Sequence, residues 1–471
     1  MKTVSKQTRK SAVTVGKQRS YNEIIELLDK SWKPLSQKTL ANVKKLDQAL
    51  GTVSQKLNTI LVTGTNGKSL TINFTAQLLK QEGLSVGTFY APHLLTYNER
   101  FSISNETISN KTFTEIANEV LHAAETTDLD INALEILTMM SLVWFKKTNV
   151  DVAILEVGNN AQWHPATICK AKIAAVTRVT VEDETNTQEM HELIEQMMSV
   201  AGSGMHVISA DQSKLNLQAM QELVEKKKGM WAMPIRKLAS LSYPFEQLHG
   251  RCAALAERIA ALYVNECWDK KNTIEGSGSL LVKQKGQRGR PTLEAKRQAE
   301  LNPKKTIEQY WKETTSLLPA RFQLLDKEKP TLLLDNASNL DAFKNLLLGI
   351  RLLHYQRPLK GLTLVIGCNN PNLNIPEFLK ALRYFFKKTS GQVIVCPVEA
   401  VAGQDGSTSW NVEQITNDIK SMKIKAKAAK SFKEAFNAAQ KTVDERNGLV
   451  VITGSSAIIS EYWQQKGIKK L

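Results

Sequence analysis

The sequence predicts an α/β protein, in which a doubly wound, mostly parallel sheet domain is followed by a smaller α/β domain. Two observations lead to this fold class. Short apolar runs that suit buried strands alternate along the chain with longer segments of helical spacing. The alternation breaks at a stretch rich in Gly, Ser, Lys and Arg, from about residue 272 to 303, and then restarts. The length of 471 residues suits two or three hydrophobic cores.

The elements of the first half follow in a regular order. Two helical segments, SYNEIIELLDKSW and TLANVKKLDQALG, precede the strand NTILVTGT and the helix LTINFTAQLLKQEG. The strand LSVGTFYAP, the loop HLLTYNERFSIS, the apolar helix NALEILTMMSLVWFKKTN and the strand VDVAILEVG come next. KIAAVTRV and GMHVIS predict further strands, and a helical region surrounds RCAALAERIAALYV. In such a sheet, ligands bind at the carboxyl ends of the strands.

The second half repeats the alternation on a smaller scale. PTLLLDN, LTLVIGC, GQVIVCP and GLVVITGSS predict strands, and AFKNLLLGIRLL and EFLKALRYFF predict helices, with two more helices before the last strand. We therefore expect a basic flexible tail at 1–20, a first domain at 21–312 that carries the basic insert at about 272–303, and a second domain at 313–471.

Composition narrows the class of protein. No run of about 18 apolar residues suggests a membrane span. Five cysteines without a CxxC pair suit reduced thiols, so we expect a cytoplasmic protein without a disulfide framework or zinc site. The net charge of +16 favours anionic partners, either nucleotides or polyanions. The basic tail and insert are expected to be solvated surface; a transit peptide and a minor-groove contact through Arg288-Gly289-Arg290 are the alternatives. Nucleic-acid binding is not expected.

The stretch ILVTGTNGKSLT carries the strongest chemical signal. A common P-loop, G-x-x-x-x-G-K-[ST], would need glycine at Val62, so only the shorter form G-x-x-G-K is present. Gly64 and Gly67 would let a phosphate approach the backbone, while successive N–H groups and a helix N-terminus would favour the anion. Lys68 would reach the outer phosphates and Ser69 would offer an oxygen to Mg²⁺. A plain turn is the alternative, but a lysine at this elbow needs an anionic partner.

Several motifs in the correct order resemble one family. VTGTNGKS resembles the ATP loop of the Mur ligase superfamily, and its surroundings resemble the folylpolyglutamate synthase and dihydrofolate synthase branch. APHLLTYNERFSI is similar to that branch's S-P-H-L…N-E-R-I motif, and LPARFQLL to its P-G-R-F-Q linker. LEILTMMSLVWF, VDVAILEVG, LLLDNASN and VITGSS are similar to four further motifs. The resemblance covers roughly residues 20 to 471.

The resemblance implies an ATP-dependent ligase that joins a carboxylate to an amine. Its fold would be a P-loop-type domain followed by a Rossmann-like C-terminal domain, with ATP bound between the two. Its ligands would be ATP, Mg²⁺, glutamate and a folate-type carboxylate, and it would act as a monomer. The catalytic residues it implies are Lys68, Glu156, Arg321 and Asp335. The nucleotide-binding residues would be Gly64, Thr65, Asn66, Gly67, Lys68, Ser69, Arg321, Asp335 and Asn339. The substrate residues would be Pro92, His93, Asn98 and Arg100.

Metal binding is where the sequence departs most from the family. Ser69 and Glu156 are the expected Mg²⁺ ligands, although Glu156 would alternatively be a salt-bridged carboxylate at a strand end. The family's aspartate–histidine pair falls at VTVEDET, where Asp183 is the nearest carboxylate and a third expected ligand. The family's metal-supporting lysine falls at about Met197. Where the family motif D-G-A-H-N has its histidine, this chain has Ser338. Where the family has a glycine-rich stretch after the strand that ends in Glu156, this chain has NNAQWHPAT, which contains no glycine.

Two hypotheses of different classes follow. The first is a diverged folylpolyglutamate-type ligase, and the second is a nucleotide-binding protein that has lost turnover. For His93, a capping or packing role is a further alternative. Nucleic-acid binding through the basic segments is a third, less favoured hypothesis.

Overall fold

The computed structural model describes residues 17–158, 160–233, 236–268, 280–281, 306–314, 318–399, 401–402 and 410–471. The basic tail up to residue 16 and nearly all of the insert, with the expectations attached to them, lie outside the described residues. Residues 315–317 do too, so the limits of the domains stay a prediction. No helix in the described part of the chain has the length and apolar character that crossing a bilayer requires.

Fourteen α-helices are numbered here among the described residues. They are α1 Tyr21–Lys30, α2 Gln37–Ala49, α3 Lys68–Gln81, α4 Asn110–Thr126, α5 Ala133–Lys147, α6 Thr187–Met198, α7 Lys214–Lys226, α8 Phe245–Leu262, α9 Ile307–Glu313, α10 Leu340–Gln356, α11 Ile375–Phe386, α12 Val412–Ser421, α13 Phe432–Gln440 and α14 Ser456–Gln465.

The strands form two sheets. They are β1 Thr59–Thr63, β2 Val86–Phe89, β3 Phe101–Ile103, β4 Glu106–Thr107, β5 Val152–Glu156, β6 Ile173–Val176, β7 His206–Ser209, β8 Met230–Ala232, β9 Gln323–Leu325, β10 Thr331–Asp335, β11 Leu362–Ile366, β12 Gln392–Val395, β13 Lys425–Ala428 and β14 Leu449–Thr453.

The eight-stranded sheet has the order β4-β3-β2-β5-β1-β6-β7-β8, and the six-stranded sheet has the order β13-β12-β11-β14-β10-β9. Both are parallel except at one edge, where β3 and β4 pair antiparallel in the first sheet and β9 pairs antiparallel with β10 in the second. β1 lies between β5 and β6, so the order of the chain reverses beside it. A crevice at the carboxyl end of β1 is therefore the expected binding position in this topology. We call the part built on the first sheet the first lobe and the part built on the second sheet the second lobe.

Each sheet is covered on both faces by apolar side chains. Along β1, Leu61 packs into the core on one face, while Ile60 and Val62 pack into the core on the other. Because neighbouring strands are buried on both faces, they are continuous apolar runs in the sequence, which explains why these strands could be predicted. α3 and α8 pack against each other on the same face as Ile60 and Val62.

The elements that the sequence did not reveal lie mostly at sheet edges. β3 falls within the predicted loop HLLTYNERFSIS and pairs antiparallel with β2. β13, with the sequence KAKA, has exposed lysines at alternate positions and no apolar run. Charged side chains on an edge strand discourage pairing with other chains, but they also remove the hydrophobic signal that marks a strand.

Candidate active site

A cleft of about 650 Å³ lies between the two lobes, at the carboxyl end of β1. The first lobe contributes the loop between β1 and α3, the end of β5 and the segment after β6. The second lobe contributes Arg321, the start of α10 and the segment after β11. Side chains from distant parts of the chain therefore face one shared space.

The loop between β1 and α3 has the backbone that a phosphate cradle requires. Gly67 has φ +88° and directly precedes α3, and Gly64 has φ +131°. A Cβ at Gly64 would lie 2.1 Å from the Thr177 Oγ1 atom, so only glycine fits there. The Thr65 and Asn66 N–H groups donate to the Arg178 carbonyl at 2.8 and 3.2 Å, which fixes the loop to the segment after β6.

Lys68, Ser69 and Glu156 form one cluster in the first lobe. The Lys68 Nζ atom donates to the carbonyls of Gly64 (2.9 Å) and Thr65 (3.1 Å) and lies 3.9 Å from a Glu156 oxygen. The Ser69 hydroxyl donates to the other Glu156 oxygen at 2.9 Å. Glu156 is only 2% exposed, at the end of a fully buried strand. A buried carboxylate beside a hydroxyl and a lysine suits a metal-bound phosphate group.

Ser69 and Glu156 provide the oxygen ligands that a Mg²⁺ site requires. Mg²⁺ in nucleotide sites uses one or two protein oxygens, and phosphates and water complete its coordination. Ser69 Oγ and the Glu156 carboxylate fit this pattern. No group of three or more His, Cys, Asp or Glu side chains placed to hold a metal ion occurs among the described residues.

Arg321 reaches this cluster from the second lobe. Its Nη2 atom lies 3.5 Å from the Ser69 hydroxyl. Burial lowers the pKa of the guanidinium, while the charges of Glu156 and Asp335 oppose this shift. Arginine keeps its charge even so, because the ordinary pKa of a guanidinium lies far above neutral pH. A fixed cation from the second lobe therefore faces the hydroxyl expected to bind the metal.

Asp335 is not among the residues that line the cleft, and its expected contact with the nucleotide stays a prediction. Its two carboxylate oxygens accept the backbone N–H groups of Phe322 (2.8 Å) and Ala337 (2.9 Å). Burial raises its pKa to about 6 against the opposing effect of these hydrogen bonds. Through these hydrogen bonds Asp335 ties the segment that carries Arg321 to the end of β10.

Asn339 does line the cleft and contacts the phosphate loop directly. Its Nδ2 atom donates to Asn66 Oδ1 at 2.8 Å, and Asn66 Nδ2 donates back to Asn339 Oδ1 at 3.0 Å. Asn66 also donates to an oxygen of Asp341 at 2.8 Å, and Arg178 forms an ion pair of 2.8 Å with that carboxylate. The start of α10 is thus held against the first lobe.

The four expected substrate residues separate into two groups. Pro92 lines the cleft. His93, Asn98 and Arg100 are buried and do not line it: Arg100 Nε donates to His93 Nδ1 at 3.0 Å, and Asn98 donates to the Ile108 carbonyl at 3.0 Å. Burial lowers the pKa of His93 well below its usual value. For these three residues the structure shows packing contacts, and their contact with a substrate stays a prediction.

Asp183 is not among the residues that line the cleft, whereas the neighbouring Glu182 is, and metal binding by Asp183 stays a prediction. Asp183 is exposed and accepts hydrogen bonds from the hydroxyl (2.6 Å) and N–H (3.0 Å) of Thr185, which lower its pKa. Glu182 lines the cleft. Met197, at the position of the family's metal-supporting lysine, is buried in the core. A shift of one residue in a loop turns a side chain away from the site, and no sequence pattern marks that register.

Sequence reasoning missed the polar residues of the second lobe that line the cleft. They are Asn336, Asn369, Asn370, Asn372, Ser455 and Ser456. All six lie at the end of a predicted strand segment or within four residues after it, which is where ligand contacts are expected in a parallel sheet.

Two curated proteins illustrate the similarity at the level of sequence. The chain is 25% identical over 225 residues to the dihydrofolate synthase/folylpolyglutamate synthase of Bacillus subtilis, covering 46% of this chain and 49% of that protein. It is 27% identical over 297 residues to the mitochondrial folylpolyglutamate synthase of Bos taurus, covering 60% and 49%. The chain thus spans about half the length of these relatives. No protein-family model matches it.

Solved structures match over nearly the whole chain. The folylpolyglutamate synthase of Mycobacterium tuberculosis complexed with ADP has a TM-score of 0.74 at 17% identity and covers 95% of this chain and 98% of its own. A bifunctional folylpolyglutamate synthase/dihydrofolate synthase with Mn, AMPPNP and L-glutamate bound has a TM-score of 0.69 at 19% identity, covering 96% and 98%. These matches confirm the predicted fold class. The motif resemblance is confirmed as well, since curated relatives and structural neighbours are both folylpolyglutamate or dihydrofolate synthases.

Proposed function

We propose that this chain is an ATP-dependent ligase that adds L-glutamate to a folate-type carboxylate through an acyl phosphate. One observation carries the proposal: Lys68, Ser69 and Glu156 of the first lobe meet Arg321 of the second lobe in one cleft. Cations and a metal-ligand pair around one point are what phosphoryl transfer requires, because its transition state is stabilised mainly by positioned charge.

Each residue has a definable task in this reaction. Lys68 and Arg321 would neutralise charge on the phosphoryl group from opposite lobes, and Ser69 with Glu156 would hold Mg²⁺. When bound, Mg²⁺ supplies charge neutralisation and a fixed orientation for the phosphate oxygens. The Gly64 and Gly67 turn would let the backbone approach the phosphates closely. Lobe closure would exclude water, which otherwise competes for the activated carboxyl group.

The proposed reaction proceeds in two steps, formation of an acyl phosphate and formation of an amide. A carboxylate oxygen of the acceptor attacks the terminal phosphorus of ATP, and the bond to ADP breaks. The amino group of glutamate then attacks the acyl carbon, phosphate leaves, and the amine loses a proton to solvent. The resulting bond is an amide.

A specific observation favours the alternative, a nucleotide-binding protein without turnover. Met197 occupies the position of a metal-supporting lysine, and Asp183 points away from the cleft. Glu156 is then the remaining member of the expected carboxylate pair in the site. Nucleic-acid binding has no support of this kind, because the basic tail and insert lie outside the described residues.

We further propose that the protein acts in the cytoplasm as a monomer. The five cysteines are free, and three of them are buried, which suits a reducing compartment.

The decisive experiment is a turnover assay with mass detection. Purified protein is incubated with ATP, Mg²⁺, labelled glutamate and a reduced folate. A ligase yields ADP and a folate heavier by one or more glutamyl units, and Glu156→Gln should abolish that product while metal-free ADP binding persists. Binding of ADP without product or ATP turnover supports the alternative. Absence of nucleotide binding contradicts both.

A further inference from the structure

The side chain of Glu182, a residue of the first lobe, forms hydrogen bonds with the second lobe. It lies in the segment after β6, yet its carboxylate accepts the backbone N–H groups of Leu340 (3.3 Å) and Asn374 (3.4 Å) and the side-chain amide of Asn370 (3.3 Å). All three donors belong to the second lobe. The side chain is half-buried, so its charge depends on these partners more than an exposed charge would.

Two of the donors lie at helix N-termini. Leu340 is the first residue of α10, and Asn374 caps α11. The first N–H groups of a helix have no partner within the helix, and the helix dipole makes this end positive. One carboxylate therefore satisfies the starts of two helices at once.

The segment that carries Glu182 is itself fastened to the phosphate loop. The Thr65 hydroxyl donates to the Thr180 carbonyl at 3.1 Å, and the Thr180 N–H donates to the Thr65 oxygen at the same distance. The Arg178 carbonyl accepts two N–H groups of the loop. A displacement of α10 and α11 would therefore be transmitted through Glu182 to the loop expected to hold the phosphates.

We propose that Glu182 is a positioning residue that holds the second lobe closed over the phosphate loop and so brings Arg321 to Ser69. The kinetic part of this inference rests on the proposed ligase function, but closure itself can be measured without turnover. An ionised carboxylate suits the task because its oxygens only accept hydrogen bonds. At 3.3 to 3.4 Å each bond is long, so the effect rests on three donors acting on one carboxylate rather than on any single strong bond.

Glu182→Gln is the sharpest variant. Glutamine preserves the shape but removes the charge and turns an NH₂ donor towards N–H groups. The matched control is Glu184→Gln, which removes a charge from the same segment. Glu184 is exposed and lies 3.6 Å from Lys344, and a surface pair of this kind contributes little.

Closure is read from amide hydrogen exchange with ADP and Mg²⁺ bound. We expect exchange at the starts of α10 and α11 to be at least tenfold faster in Glu182→Gln than in wild type or Glu184→Gln. In the turnover assay, kcat should fall tenfold to a hundredfold while nucleotide affinity changes less than threefold, because Lys68 and the loop remain.

Two outcomes would overturn the inference. Unchanged exchange at both helix starts would make Glu182 a passive surface contact, and faster exchange spread evenly over both lobes would make it a general stabiliser. Asn370→Ala removes the third donor from the opposite side and should produce the same local pattern more weakly. If wild type forms no glutamylated product, the ligase proposal fails, and the exchange experiment still decides whether Glu182 closes the lobes.

Discussion

The two walls of the cleft are built from different chemistry. The first-lobe wall is ionic, with Lys68, Ser69 and Glu156 within contact distance of one another. The second-lobe wall is mostly neutral, with amides and hydroxyls such as those of Asn339, and Arg321 is the one cation it contributes among the described lining residues. This difference suggests that the first lobe supplies the charge for the chemistry, whereas the second lobe supplies directional hydrogen bonds and closure.

The two walls of the cleft are also held in position in different ways. The ionic wall joins the ends of adjacent strands, β1 and β5, so sheet register holds it in place. The second-lobe wall meets it through hydrogen bonds such as those of Asn339 with Asn66 of the first lobe, which depend on the packing of the two lobes. Changes to the first wall should therefore abolish binding or folding, and changes to the second should shift closure.

Removing the cation of the ionic wall should have the largest effect. Lys68→Ala is expected to lower ATP turnover by about 1000-fold, or about 4 kcal/mol of transition-state stabilisation, because the outer phosphates lose their lysine. Lys80→Ala is the control, since Lys80 is an exposed lysine of the same helix. Steady-state kinetics and calorimetric titration with ATP and Mg²⁺ test this. Equal losses in both variants would contradict the assignment of Lys68.

Removing the glycine that shapes the ionic wall should affect folding as well. A Cβ at Gly64 would meet Thr177 Oγ1 at 2.1 Å, and the residue has φ +131°. We expect Gly64→Ala to reduce the free energy of unfolding by about 4 kcal/mol, combining backbone strain with overpacking. Gly83→Ala is the control: its φ is +87°, but nothing lies within 4 Å, so about 1 kcal/mol is expected. Urea denaturation measures both, and similar losses would contradict the steric explanation.

Two buried histidines of the first lobe should make the stability of the protein depend on pH. Burial, assisted by the nearby charge of Arg321, lowers the pKa of His249 to about 4. The unfolded chain binds a proton near pH 6.5 that the folded chain does not, so stability falls as pH falls from about 6.5 to about 4. The expected loss from this residue is about 3 kcal/mol. Burial also lowers the pKa of His164, to about 3, and adds to the loss below pH 6.5.

His249→Phe separates the two histidines. The His249 ring stacks on Phe245, and its Nδ1 atom has no hydrogen-bond partner among the described residues, so phenylalanine fits the packing without losing a bond to them there. Urea denaturation at pH 7 and pH 4.5 should show a smaller loss in His249→Phe than in wild type. The exposed His191→Gln should match wild type. An unchanged pH dependence in His249→Phe would contradict the depressed pKa.

The hydrogen bonds between Asn66 of the first lobe and Asn339 of the second lobe should give the smallest effect. Asn66→Ala and Asn339→Ala are each expected to weaken nucleotide affinity by about 1 kcal/mol, with a coupling of about 1 kcal/mol in the double variant. The cycle is needed because Asn339 also caps α10 through Ala342 N–H at 2.9 Å, a contribution that cancels in it. Calorimetric titration with ADP and Mg²⁺ supplies the four values. Full additivity would show that the two amides do not act as a pair.

The sequence by itself determined the features that depend on local pattern. Alternating apolar runs and helical spacing predicted most strands and helices, and Gly64, Gly67, Lys68 and Ser69 predicted the phosphate loop. Glu156, at the end of the predicted strand VDVAILEVG, was identified through the family resemblance.

Only the tertiary structure decided which side chains face the cleft. It placed Asp335 behind Arg321, turned Asp183 out and Glu182 in, and buried His93 against Arg100. The contacts between Asn66 and Asn339 and between Glu182 and Leu340 join residues 273 and 158 positions apart. The physical reason is that backbone propensity acts over a few residues, whereas the direction of a loop side chain is set by partners that only the packing of two lobes brings close.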